Sequence, residues 1–63
     1  MQPHQEKVVV EKQELDEKID KLTLFIKGTI YASLPAEEQM RLNNQLGYMV
    51  GYSNCLGERI EAF

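Results

Sequence analysis

Leu42, Met49, Leu56 and Phe63 stand seven residues apart, and Leu46, Ser53 and Ile60 fill the intervening seam positions. A strict seven-residue apolar spacing makes one narrow stripe on a helix, and such a stripe packs against another helix. The N-terminal half carries the matching stripe. Val8, Leu15 and Leu22 alternate with Ile19 and Ile26, and Lys12 fills one slot. The two stripes predict an all-α chain: an antiparallel two-helix hairpin.

Local signals place the ends. Pro3 suits the first turn of a helix, where its missing N–H costs nothing. The run Glu11–Leu22 is rich in strong helix formers. Glu14–Lys18 and Glu17–Lys21 are spaced for i,i+4 ion pairs. Gly28, Thr29, Ile30, Ser33 and Pro35 make a weaker segment. Gly28 could end the first helix as a residue just past its C-cap; continuation of the apolar face through Thr29 and Ile30 favours a helix running on to Tyr31. The reading is one domain over 1–63, with a helix over about 3–31, a turn over about 32–34 and a helix over about 35–61. Ser33 is the expected cap of the second helix, Glu37 and Glu38 complement its positive end, and Arg59 its negative end. A turn near residue 33 sets Ile26 against Leu42, Leu22 against Leu46, Ile19 against Met49, Leu15 near Tyr52–Ser53 and Val8 near Ile60.

Sixty-three residues bury little apolar surface, so stability calls for crosslinks, a metal or assembly. One cysteine, Cys55, forms no intrachain disulfide, and with the single His4 it makes no zinc site. Assembly into a helical oligomer remains. A lone free thiol fits a reducing compartment. The N-terminus lacks the apolar stretch of a signal peptide, and no window has the ~18 apolar residues of a membrane span. A net charge of −3 argues against duplex nucleic acid as a ligand.

The seams leave much unexplained. Val9, Val10, Leu24, Phe25, Tyr48, Val50, Tyr52 and Cys55 lie off them, as do Gly47, Gly51 and Gly57. A hairpin cannot bury a second face on itself, so this surface points to a partner. Gly47 and Gly51 share a face and admit either a close helix or a ligand on bare backbone. Tyr48 and Tyr52, four apart, suit interface packing or stacking on a nucleobase. Lys18 and Lys21 read either as a solvated face or as cations for a phosphate. Arg41 and Arg59 offer two-pronged grips on phosphate, or surface ion pairs with Glu37, Glu38, Glu58 and Glu61. His4, in the first helical turn, is either exposed or a contact for an anion near unpaired backbone N–H groups. Lys12 in the seam is expected to snorkel and to set register. No nucleophile–base set, Gly-rich phosphate loop or metal cluster is visible, so no enzyme and no cofactor is expected.

The opening Pro3-His4-Gln5, the block Glu14-Leu15-Asp16-Glu17-Lys18, Leu22, Phe25-Ile26, and the closing Tyr52, Leu56, Arg59 and Ile60 resemble a family of small phage proteins. These share the helical hairpin of the anti-CBASS and Thoeris anti-defence sponges, and the resemblance spans nearly the whole chain. It implies sequestration, without cleavage, of cyclic di- or trinucleotide or cyclic ADP-ribose-type messengers in the host bacterial cytoplasm. It also implies a homo-oligomer, often a hexamer in such sponges, with ligand sites between protomers. The better-known sponges place a tyrosine early in the first helix and a lysine further along. Here no tyrosine precedes Tyr31, so His4 stands at the early position and Lys18 or Lys21 supplies the cation. The ligand-binding set implied is His4, Lys18, Lys21, Tyr48, Tyr52 and Arg59. The alternative from another class is a helical module that oligomerises and captures a host or phage protein.

Overall fold

A computed structural model describes all 63 residues. Three helices follow in order: α1 (Pro3–Ile26), the single turn α2 (Thr29–Ala32) and α3 (Ala36–Glu61). α1 and α3 pack antiparallel into a rod of 46 × 15 × 13 Å. Its radius of gyration is 14.5 Å, against about 11 Å for a globule of this length.

Pro3 occupies the first turn of α1, and the Gln2 N–H donates to Gln5 Oε1 at 2.9 Å. The helix does not run unbroken to Tyr31, as the apolar face suggests. It stops at Ile26, with Lys27 as cap and Gly28 extended at φ −90°. Gly28 therefore does not act through a left-handed conformation. Its use is close approach: a Cβ there would lie 3.3 Å from the Phe25 carbonyl oxygen. α2 then carries the chain around. Ser33 does not cap the next helix; its hydroxyl turns back and donates to the Ile30 carbonyl at 2.7 Å. Pro35 holds the cap position, and its carbonyl accepts from the Gln39 N–H at 3.0 Å. A side-chain clasp closes the turn. Gln39 Nε2 donates to the Tyr31 carbonyl at 2.9 Å, and Asn43 Nδ2 donates to the Tyr31 hydroxyl at 2.7 Å.

The two stripes meet as the spacing predicts. Val8 and Leu56 are buried, and Leu15, Ile19, Leu22, Ile26, Leu42, Leu46, Met49 and Ile60 are partly covered. Phe63, beyond the end of α3, is exposed. One polar residue from each stripe shares the seam. Lys12 Nζ lies 2.9 Å from both Asp16 Oδ2 and Ser53 Oγ, and the Ser53 hydroxyl donates to Asp16 Oδ1. These bonds set residue 53 opposite the 12–16 turn, the register expected from the apolar pairs. Ser53 is only 5% exposed, and it uses its hydroxyl as both donor and acceptor, so its burial leaves nothing unpaired. The Ser53 hydroxyl first, and then Lys12, hold the Asp16 carboxyl below the usual carboxylate range. Lys12 thus has a defined partner set and does not merely snorkel.

The i,i+4 pairs expected on α1 do not form. The ion pairs of the chain are Lys12–Asp16 and Arg41–Glu38. Glu14, Glu17, Lys18 and Lys21 are all exposed. A solvated pair gains too little to hold two long side chains together.

Candidate functional site

α3 faces α1 with one side only. Its outer side bears Arg41, Tyr48 and Tyr52, which recur on one strip because their spacings of seven and four residues close whole turns of helix. Tyr48 is 78% exposed, the largest value among the bulky apolar and aromatic side chains. Nothing from α1 covers it. The two rings and their neighbours Asn44, Gln45 and Met49 border an open groove of about 600 Å³, with Arg41 at one end.

The groove's chemistry is that of a binding surface. Two phenol rings and the Met49 thioether supply flat or soft apolar contact. Asn44 and Gln45 each offer a donor pair and an acceptor. Arg41 is oriented by Glu38, whose Oε1 accepts from Arg41 Nε at 2.8 Å. That bond uses one edge of the guanidinium and leaves terminal N–H groups for an anion. No carboxylate or imidazole borders the groove, so no side chain there is suited to take a proton from water near neutral pH.

The sequence-derived candidates fall in four places. Tyr48 and Tyr52 share the groove. Lys18 and Lys21 lie level with them along the rod, because Ser53 stands opposite residues 12–16 on the neighbouring helix. Neither lysine borders the groove, and neither is ion-paired. Arg59 sits two turns beyond Tyr52, exposed and unpaired. His4 is remote. It lies at the end of the rod away from the turn, about 24 Å along the axis from Tyr48 and about 18 Å from Tyr52 at 1.5 Å of rise per residue. Within a single chain His4 therefore cannot share a ligand with the tyrosines.

Arg41, offered by the sequence as a phosphate grip, heads the groove, and Asn44 and Gln45 join the site from the structure. Their signal in the sequence is phase: each falls one or two turns from Tyr48 on the same strip. A second concavity, about 450 Å³, lies on α1 between Pro3, Glu6, Lys7, Val10, Glu11 and Glu14. Three carboxylates against one lysine make it a poor seat for an anion. No group of His, Cys, Asp or Glu side chains is placed to hold a metal ion, and no helix is long and apolar enough to cross a membrane.

No curated protein and no solved structure matches the chain significantly. A family model does, across almost its full length. The all-helical hairpin and the resemblance to anti-defence sponges are consistent with that match, and the family's name suggests sequestration, a binding task rather than an enzymatic one. Over residues 2–62 the chain matches the Sequestin model, and it belongs to the Sequestin family.

Proposed function

We propose that this chain is a phage anti-defence sponge that sequesters a cyclic oligonucleotide messenger of bacterial immunity and does not cleave it. The observation that carries this reading is the solvent-facing pair Tyr48–Tyr52 in a groove headed by Arg41. Bases of any identity present a π-face to such rings, and each stacked base contributes about 1–3 kcal/mol. Asn44 and Gln45 suit the polar edges of a base. Arg41, Arg59, Lys18 and Lys21 supply cations for phosphates.

Sequestration requires tight binding alone; a nanomolar Kd corresponds to about −12 kcal/mol. Two stacked bases account for a minority of that. The remainder comes from charge-assisted phosphate contacts and from closing the open side of the groove, which a single hairpin leaves to solvent. The reading therefore includes a homo-oligomer.

Calorimetric titration of the purified protein with a panel of cyclic di- and trinucleotides tests the reading. Saturable binding of at least one, with the nucleotide recovered intact after heat denaturation, is the expected result. No binding across the panel at micromolar concentrations, or recovery of a cleaved product, sinks it. Leu24, Ile30 and Met40, exposed near the turn end of the rod, favour a second reading in which the hairpin captures a host or phage protein. A stoichiometric protein recovered by pull-down, and lost on substitution of these three, would carry that reading instead.

A further inference from the structure

The cationic end of the groove is less positive than its one arginine suggests. Arg41 is the single charged side chain that borders the groove. Glu38, in the first turn of α3, accepts from Arg41 Nε at 2.8 Å. Glu37 stands in the same turn, four residues before Arg41, and adds a second carboxylate to that end. The Arg41 side chain stays 65% exposed and that of Glu38 43%, so the ion pair contributes little to stability. Its consequence is for the ligand.

The bond at Nε fixes which part of Arg41 a ligand meets. The two terminal nitrogens remain, and they match two oxygens of one anion. An anion seated there also feels the Glu38 carboxylate, because Coulomb energy falls only as the inverse of distance. Its first negative charge gains two hydrogen bonds that outweigh this repulsion. A second charge on the same anion gains no further bond to those nitrogens, and what it gains from Arg41 is offset by Glu38 and Glu37. The distinction matters among nucleotides. A phosphodiester carries one charge, whereas a terminal phosphate carries about −1.5 to −2 near pH 7.

We propose that Glu38 is a selectivity residue: by engaging Arg41 through Nε and offsetting its charge, it makes this end of the groove a seat for the singly charged phosphodiester of a nucleotide and disfavours a terminal phosphate. The proposal rests on the sponge reading and deepens it. Mononucleotides with terminal phosphates carry the same bases as a cyclic ligand, and stacking on Tyr48 and Tyr52 accepts any base. The rings cannot tell the two apart, so discrimination falls to the Arg41 end.

Three probes that share one base and one ribose isolate the phosphate: adenosine, adenosine 5′-monophosphate, and the methyl ester of that monophosphate, a singly charged diester. NMR titration near pH 7 at one fixed ionic strength, followed on the Tyr48 and Tyr52 ring signals, gives a Kd for each. The unaltered chain is expected to bind the methyl ester about three- to fivefold more tightly than the monophosphate, the upper range for an exposed charge–charge interaction. Glu38→Gln keeps an oxygen that can accept from Nε and removes the charge. It is expected to bring the two Kd values within about twofold, by strengthening the monophosphate. Arg41→Gln is expected to weaken both phosphates to the level of adenosine. Circular dichroism confirms that the three chains are equally helical. Equal affinity for diester and monophosphate in the unaltered chain, or a preference that Glu38→Gln leaves unchanged, overturns the proposal; binding of adenosine and the diester in those cases leaves the sponge reading standing. Phosphate affinities that Arg41→Gln does not alter overturn it as well. Binding of none of the three probes also overturns it, and the cyclic nucleotide panel then decides the sponge reading separately.

Discussion

Leu56→Ala is the substitution that the fold should tolerate least. Leu56 is 1% exposed, the one large side chain that the hairpin encloses completely. Truncating a buried leucine costs about 2–5 kcal/mol, depending on how far the surroundings relax into the space. Ile60, one turn along α3, is only partly covered, and its side chain can settle inward. The lower end, about 2–3 kcal/mol, is therefore expected. For a domain of this size that is a fall in Tm of about 8–24 °C, at 4–8 °C per kcal/mol. Leu24→Ala is the control, because Leu24 is 69% exposed and its loss should cost less than about 0.5 kcal/mol. Thermal melts followed by far-UV circular dichroism measure both. The melts need matched protein concentrations, because assembly raises the apparent stability by mass action. A loss below ~1 kcal/mol for Leu56→Ala, or equal losses for the two variants, would refute a core centred on the Val8–Leu56 end of the seam.

Four further outcomes are expected. Gly47→Ala should stabilise the protein by about 0.8–1 kcal/mol, the helix-propensity difference, since a Cβ at Gly47 meets nothing within 4 Å; a destabilised melt would show that another chain lies on that strip. The bonds from Ser53 and Lys12 lower the Asp16 pKa in the folded state, so their stabilisation is present above the unfolded value of about 3.9 and lost as pH falls through the folded value. Asp16→Asn should thus flatten the acid limb of a stability–pH profile and leave the neutral-to-basic limb unchanged in shape. Tyr48→Ala should weaken messenger binding by about 1–3 kcal/mol in calorimetry, while the helicity of the chain is retained. His4→Ala should leave binding in the same calorimetry unchanged, and a loss of affinity would place the N-terminus of another copy at the site.

The seams were legible in the sequence because each residue's contribution is carried by position. Leu42, Met49 and Leu56 need no partner identity to define a stripe, and α1 supplied a second stripe of equal length. Their register followed from the short turn. What escaped was local polar chemistry. Lys12 and Ser53 are each the lone polar member of their stripe, a coincidence that marks them as facing one another. Asp16, just off the stripe, gave no such sign. The break at Lys27–Gly28 was half visible: glycine marked the place, and what the sequence could not show is that a Cβ there would crowd the Phe25 carbonyl at 3.3 Å in an extended rather than a left-handed residue. Ser33 shows the limit of capping rules, since its hydroxyl donates back to the Ile30 carbonyl and Pro35 takes the cap position of α3. At the groove, residue type picked out Tyr48 and Tyr52. Residue type also offered Arg41 as a phosphate grip; Asn44 and Gln45 became site residues only through phase on α3, and His4 dropped away through distance along the rod.

Native mass spectrometry of the protein purified from bacteria that are producing the messenger tests sequestration most directly, because it weighs the assembly and its cargo together. The account predicts an oligomer of this chain carrying nucleotide, which is released with its mass unchanged when the protein is denatured. A bare monomer from cells shown to contain the messenger, or an assembly whose cargo emerges cleaved, would contradict it.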